Sequence, residues 1–203
     1  IKDIDNLPMP EREKFWGIPK SERKNVDVSY INTIRGCPYK CTYCASPFHW
    51  DRKTTRLRSP ESVIEEMKLL KEKYWQATEY DYSASANISE KDSLKIEDNT
   101  IVYFVDDVFT VHKKRVKKLL RMMIDQKLKM KWKCEARADH LDDEICELMA
   151  EAGCERVKLG FESGSDRILK QIEKLETRAE MLSGAAMLKR AGVPFSGYFM
   201  VGF

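Results

Sequence analysis

Short apolar runs alternate with segments of helical periodicity along most of this chain, and this alternation limits the possible folds more than any other feature. The run over residues 101–105 is continuous and apolar, which is typical of a strand buried on both faces. The predicted strands cover residues 26–34, 101–105, 131–136, 156–161 and 195–201. Strands joined through helices form right-handed parallel crossovers. The sequence therefore predicts an α/β fold whose parallel strands curl toward a barrel.

Capping residues mark where helices begin between these strands. Ser59 followed by Pro60 predicts the start of one helix. Thr177 and Glu180 form the sequence pattern of a capping box and predict the start of another. Residues 76–99, by contrast, are polar and lack periodicity, so they predict an inserted surface loop.

Polar and charged residues follow the predicted strands at their carboxyl ends. They are Asp106, Asp107, Glu135, Arg137, Asp139, Glu162, Ser163 and Gly202. The carboxyl ends of parallel strands share one face of a barrel, where functional residues gather. We therefore expect these residues to surround one site, although part of the pattern is also what ordinary polar loops produce.

Three cysteines lie within eight residues directly after the first strand, at Cys37, Cys41 and Cys44. Thiolates are the usual ligands of iron–sulfur clusters, and a cubane cluster has four irons. A loop that offers three thiolates leaves one iron open for a substrate or cofactor. The alternative is a structural zinc held by these cysteines and His49 in a Cys3His site.

Composition excludes several classes of protein. The chain has 203 residues, of which 42% are hydrophobic and 34% charged, as in ordinary globular proteins. It has neither an apolar run that could span a bilayer nor the apolar core of a signal peptide, so we predict a cytoplasmic protein with no membrane partner. A net charge of +3 is too small to indicate nucleic acid as a partner. Three further cysteines fit the apolar pattern and are predicted to be buried: Cys134, Cys146 and Cys154.

The cysteine spacing C-x3-C-x2-C, with Tyr43 before the last cysteine, resembles the signature of the radical S-adenosylmethionine (radical SAM) superfamily. Four further segments extend the resemblance to the cobalamin-binding branch: 104–107, 152–154, 160–165 and 197–203. That branch includes methyltransferases acting on unactivated carbon and the anaerobic oxidative cyclase of chlorophyll synthesis. The resemblance covers nearly the whole chain.

The resemblance implies a fold and a domain order. The fold is a partial (β/α)6 TIM-like barrel, truncated after the fifth strand where the family has a sixth. Residues 1–25, with Leu7-Pro8-Met9-Pro10, resemble an interdomain linker, and 26–203 the radical SAM barrel. The cobalamin-binding domain that lies upstream in this family is absent from the sequence, so we expect a fragment.

The resemblance also implies the chemistry. A 4Fe–4S cluster and S-adenosylmethionine are the expected cofactors, with reductive cleavage of the latter to a 5′-deoxyadenosyl radical. Cobalamin would come through the missing upstream domain. The expected partners are a small organic substrate and an electron donor such as flavodoxin or ferredoxin.

Cofactor contacts follow from the resemblance position by position. Asp106 and Asp107 match the place where the amino group of S-adenosylmethionine is bound, although either could instead cap a turn. Arg137 matches a contact to its carboxylate, the alternative being a salt bridge to Glu135 or Glu162. The remaining positions predicted to bind the cofactor are Glu162 and Ser163 at the ribose, Tyr43, Val201 and Gly202 at the adenine, and Glu135.

Two other functions remain open at this stage. A tRNA methylthiotransferase-like enzyme shares this kind of cluster loop, but is expected to bring an RNA-binding module and a second cluster. A non-catalytic module would use zinc or an iron–sulfur cluster only to hold the loop. The acidic strand ends favour an enzyme, because a structural metal site has no need of them.

Overall fold

A computed structural model of the chain describes residues 3–12, 28–49, 55–73 and 101–202. The predicted insertion at 76–99 and most of the predicted linker lie outside these residues. The strands are β1 (Val28–Ile31), β2 (Ile34–Arg35), β3 (Arg56–Leu57), β4 (Ile101–Phe104), β5 (Lys131–Ala136), β6 (Cys154–Glu162) and β7 (Phe195–Phe199). The helices are α1 (Ser46–His49), α2 (Pro60–Lys73), α3 (Lys113–Asp125), α4 (Asp143–Glu151), α5 (Asp166–Gln171) and α6 (Arg178–Arg190), with a short 3-10 helix at Ala138–His140.

Five strands form one parallel sheet in the order β1-β4-β5-β6-β7. Consecutive strands of this sheet are joined through helices, as the sequence pattern predicts. The α/β class is confirmed, and the sheet is consistent with a partial TIM-like barrel. Within the described residues, β2 and β3 form a separate two-stranded antiparallel sheet.

The first predicted strand, 26–34, is divided in the structure. β1 ends at Ile31, and Ile34 begins β2. The cause lies in Asp106, whose Oδ1 accepts hydrogen bonds from the backbone N–H groups of Thr33 and Ile34 at 2.6 and 2.8 Å. Those two donors therefore bind a side chain, and the parallel ladder with β4 stops at Ile31.

One face of the sheet packs on the helices and forms the core. Val102 and Phe104 on β4 are fully buried, as are Trp132 and Cys134 on β5. The rings of Phe104 and Trp132 meet edge to face with their centroids 5.5 Å apart. All three cysteines predicted to be core residues are buried and free of disulfides. The opposite, concave face carries half-exposed polar side chains.

Both predicted helix starts are confirmed. Thr177 and Glu180 make both hydrogen bonds of a capping box at the start of α6. The Oγ of Ser59 accepts from the N–H of Ser62 at 3.1 Å in the first turn of α2. Ser165 precedes α5 but makes no capping bond with its side chain. None of the helices in the described ranges is long and apolar enough to cross a bilayer.

A buried cluster of ion pairs connects the N-terminal segment to the barrel. Glu66 on α2 bonds both Arg12 and Arg58, and its side chain is 2% exposed. Arg12 also donates to the carbonyl oxygen of Tyr30 on β1 at 2.8 Å. These contacts join residues 3–12 to the first strand and the helix α2.

Candidate functional site

A cavity of about 220 Å³ opens at the carboxyl ends of β4, β5 and β6. The predicted site residues that line it are Cys37, Cys41, Tyr43, Cys44, Asp107, Glu135, Arg137 and Glu162. These residues come from four separate parts of the chain. The prediction that strand ends and the cysteine loop meet at one place therefore agrees with the geometry.

The cysteine loop presents its three thiols to this cavity. Cys41 is buried, while Cys37 and Cys44 are half-buried. Burial raises the pKa of the Cys37 and Cys41 thiols, because the charged form loses solvation. The loop is fastened to the rest of the barrel by the N–H of Thr42, which donates to the carbonyl oxygen of Ile172 at 3.0 Å.

This donor set fits an iron–sulfur cluster with one open iron. Three thiols on one loop face a cavity that also holds carboxylates able to bind a cofactor. His49, the fourth ligand of the zinc alternative, is exposed at the end of α1 and does not line the cavity. Over residues 3–12, 28–49, 55–73 and 101–202, no three His, Cys, Asp or Glu side chains form a group that could hold a single metal ion.

The two neighbouring aspartates have different surroundings. Asp106 is 2% exposed, and besides its two backbone bonds it accepts from the hydroxyl of Thr33. Burial raises the pKa of Asp106 to about 6, although the Thr33 and Ile34 bonds oppose the shift. Asp107 is exposed, lines the cavity and accepts from the hydroxyl of Ser46 at 2.7 Å. Asp107 is therefore the aspartate that the structure brings to the site.

Arg137 is buried, and its guanidinium is already engaged. It donates to both oxygens of Asp139, at 3.0 and 2.8 Å, and to the carbonyl oxygens of Lys174 and Leu175 at 2.8 and 3.1 Å. Its face lies 3.8 Å from the ring centroid of Tyr39, which bonds His140 through its hydroxyl. Its ion-pair partners are Asp139 and, at 3.7 Å, Glu176, rather than Glu135 or Glu162.

Glu162 and Tyr43 both line the cavity and are in contact with each other. Glu162 adopts φ 61, which is the left-handed region, and is 9% exposed. Its side chain bonds the hydroxyl of Tyr43, and burial raises the pKa of this tyrosine. The ammonium of Lys174, itself 5% exposed, lies 3.7 Å from Glu162 Oε1 and 3.7 Å from Glu176 Oε2.

Besides Asp106, three predicted cofactor contacts lie away from the cavity lining: Ser163, Val201 and Gly202. The hydroxyl of Ser163 accepts from the N–H of Ser165 at 3.2 Å, which is a turn role. Val201 is fully exposed, and Gly202 follows it with φ 105. β7 ends two residues before Val201, and the last backbone bond to β6 runs from the N–H of Met200 to the carbonyl oxygen of Glu162.

Several lining residues were missed by the sequence argument. They are Tyr39, Ser46, Lys158, Gly160, Lys174 and Tyr198, with apolar Val108 and Ala136. A lysine within the apolar run of β6 is a usable signal for Lys158, since a buried strand rarely carries one. Lys174 had no such signal, because it lies in a turn whose path depends on the bonds to Arg137.

Known proteins resemble this chain over almost its full length. The family model described as the radical SAM superfamily matches residues 31–203. An uncharacterized methyltransferase from Pyrococcus horikoshii is 29% identical over 203 residues, which cover 100% of this chain and 39% of that protein. The anaerobic magnesium-protoporphyrin IX monomethyl ester cyclase of Rubrivivax gelatinosus is 24% identical over 208 residues, covering 100% and 32%.

A solved structure shares the fold. The radical S-adenosylmethionine methyltransferase TsrM from Kitasatospora setae, with cobalamin and an iron–sulfur cluster bound, has a TM-score of 0.65 at 18% identity and covers 85% of this chain and 30% of that one. The chain therefore spans less than half the length of each of these relatives. Members of the matched family use a 4Fe–4S cluster and S-adenosylmethionine. Because the family model covers most of its residues, the chain belongs to the radical SAM superfamily.

Proposed function

We propose that this chain is the part of a cobalamin-dependent methyltransferase or cyclase that binds the cluster and S-adenosylmethionine. The arrangement that carries the proposal is the convergence of Cys37, Cys41 and Cys44 with three carboxylates on one cavity at the strand ends. The methyltransferase and cyclase relatives support the reaction class. Cobalamin, in this proposal, is bound by a domain upstream of residue 1.

The three cysteine thiolates would hold the cluster, and the carboxylates of the same cavity lining would bind the cofactor. Asp107 and Glu135 are acceptors for the ammonium of S-adenosylmethionine, and Glu162 is an acceptor for its ribose hydroxyls. Lys174 is the cation for its carboxylate, in place of Arg137, whose donors are engaged. Tyr43, fixed by Glu162, packs beside the adenine.

When bound, the cluster and S-adenosylmethionine supply reductive cleavage of the sulfonium. The protein residues contribute position and shelter from water. Cys41, Glu162 and Lys174 are each less than a tenth exposed, so charges in this cavity act through little solvent. The electron donor, such as flavodoxin or ferredoxin, and a cytoplasmic location stay predictions. No specific contact in the described part of the chain favours a methylthiotransferase or a purely structural metal module.

Anaerobic reconstitution with iron and sulfide, followed by electron paramagnetic resonance, tests the proposal. We expect a four-iron signal that shifts when S-adenosylmethionine is added. Changing Cys37, Cys41 and Cys44 to Ala should abolish the signal. Cys154→Ala, which removes a buried core cysteine, should retain both the signal and its shift. One zinc and no iron, or a cluster signal that ignores S-adenosylmethionine, would contradict the proposal.

A further inference from the structure

The concave face of the sheet carries a group of charged and aromatic side chains, of which Glu135, Lys158 and Tyr198 also line the cavity. Register pairs Tyr103 with Lys133, and Glu135 with Lys158, across β4, β5 and β6. Side chains paired in this way share a face of the sheet. The interiors of TIM-like barrels are usually filled by branched apolar residues. A concave face with two lysines and two tyrosines therefore indicates a binding surface.

The two lysines converge on one tyrosine. The Lys133 and Lys158 ammonium groups lie 5.0 and 4.5 Å from the ring centroid of Tyr103. Lys158 also donates to the Tyr103 hydroxyl at 3.1 Å, and that hydroxyl donates in turn to Glu135. Tyr198 approaches from β7, with its ring centroid 5.9 Å from the same Lys158 ammonium.

The charges of this group do not balance. The single negative charge of Glu135, which accepts from the neutral Tyr103 hydroxyl, stands against two ammonium groups, and within the described residues neither Lys133 nor Lys158 forms an ion pair. Register places Arg156 opposite Lys133, which adds a further cation. The hydrogen bonds that Lys158 donates to the hydroxyls of Tyr103 and Tyr198 raise its pKa to about 12, so this side chain stays charged at neutral pH. The surface thus keeps a net positive charge beside two aromatic rings.

This cationic surface is continuous with the site of the cysteines. Lys158, Glu135 and Tyr198 line the same cavity as the three thiols. Lys133 lies two positions earlier than Glu135 on β5, which is roughly 7 Å farther from the strand end. A molecule bound to Lys133 and Lys158 would therefore extend along the concave face toward the cavity.

We propose that Lys133 and Lys158 bind an anionic group, a carboxylate or a phosphate, of the organic substrate, while Tyr103 and Tyr198 contact its adjoining apolar part. The inference rests on the proposed function, since it presumes that the cavity is the reaction site. Charge-assisted bonds to two ammonium groups select an anion over a neutral isostere.

Calorimetric titration of the reconstituted protein tests the inference, with benzoate, phenyl phosphate and neutral benzamide as probes. We expect an anion to bind, benzamide not to bind, and the relative affinities of the two anions to show which group is preferred. Lys133→Gln and Lys158→Gln should each weaken anion binding about tenfold. Lys158→Arg keeps the positive charge and should therefore retain the affinity of the wild type. Lys118→Gln, on the exposed outer face of α3, is the matched control and should change nothing.

Four results would overturn the inference: no anion binding to the wild type at millimolar concentration, equal binding of benzamide, unchanged affinity in both Gln variants, or displacement of the anion by S-adenosylmethionine. If the Lys158→Gln variant fails to assemble the cluster, anion binding to the Lys133→Gln variant alone tests the inference, because Lys133 does not line the cavity. Loss of the spectroscopic shift with S-adenosylmethionine in the wild type would contradict the proposed function. An intact shift without anion binding would contradict only this inference.

Discussion

At the scale of single residues, Asp106 shows how a carboxylate at a strand end can serve the fold. One of its oxygens accepts two backbone N–H groups, and the other accepts the hydroxyl of Thr33. An asparagine has the same shape, with one oxygen for the backbone donors and an amide that can donate to the hydroxyl. Asp106→Ala should cost roughly 2–4 kcal/mol of unfolding free energy, because buried donors lose their acceptor.

The pH dependence of stability separates Asp106→Asn from the wild type. The folded-state pKa of Asp106 is raised to about 6. Protonation of Asp106 therefore makes its full contribution to the unfolding free energy below about pH 4, and this contribution is lost as pH rises past about 6. Asp106→Asn should match the wild type near about pH 4 and exceed its unfolding free energy by roughly 2–3 kcal/mol at about pH 8. Urea denaturation at both pH values measures this. A weaker Asn variant at the higher pH would mean that the charged carboxylate, and not a neutral side chain, stabilises the fold.

Gly160 leaves space for two side chains of the site. A Cβ at this position would lie 2.6 Å from Glu162 Oε1 and 3.0 Å from Lys174 Nζ. Both are the ends of flexible side chains, so Gly160→Ala should change the unfolding free energy by less than about 1 kcal/mol. The displaced groups are proposed cofactor contacts, and we expect at least a tenfold loss of affinity for S-adenosylmethionine. The concentration dependence of the spectroscopic shift measures it. Unchanged affinity would remove Glu162 and Lys174 from the cofactor site.

At the scale of elements, Gly184 fixes how closely α6 packs on the short 3-10 helix. A Cβ there would lie 2.7 Å from the carbonyl oxygen of Ala138, which is backbone and cannot easily move. Helix propensity favours Gly184→Ala by about 1 kcal/mol, but overpacking costs typically 1–3 kcal/mol, so we expect a net loss of stability.

Thermal denaturation of Gly184→Ala measures this balance. Ser183→Ala is the control, because Ser183 is exposed on the same helix and alanine there should stabilise by a few tenths of a kcal/mol. A gain in melting temperature for Gly184→Ala equal to that of the control would show that α6 moves freely away from Ala138.

Elements were predictable where their signals are local. The capping box of α6 and the limits of β5 follow from neighbouring residues, and the structure confirms both. The division of 26–34 was not predictable, because it depends on Asp106, which is more than seventy positions away. The residues of the candidate site likewise fall into those with a local sequence signal and those without one. The cysteine loop carries its own signal, whereas Lys174 lies in a turn whose backbone carbonyls bind the distant Arg137, and nothing in the neighbouring residues indicates that contact.

At the scale of the whole molecule, Glu66 joins the N-terminal segment to the barrel. Removing its carboxylate would leave Arg12 and Arg58, at 8% and 12% side-chain exposure, without their shared partner. Glu66→Ala should therefore cost roughly 3–5 kcal/mol. The exposed Glu65→Ala on the same helix should cost less than about 0.5 kcal/mol.

Hydrogen exchange locates the effect of Glu66→Ala. Amides of residues 3–12 should lose protection first, since their side chains reach the barrel through this group. Unchanged protection of that segment would show that Arg12 is held by its bond to Tyr30 instead.

The guanidinium of Arg137 touches the cysteine loop at Tyr39, the 3-10 helix at Asp139 and the turn at Lys174 and Leu175. Segments that are far apart in the chain therefore contact the same side chain. During evolution, a change of side chain at 39, 137 or 139 alters the fit of the others, whereas Lys174 and Leu175 contribute backbone carbonyls that any residue supplies. We expect residues 39 and 137 to vary together across related sequences more often than their separation along the chain would suggest.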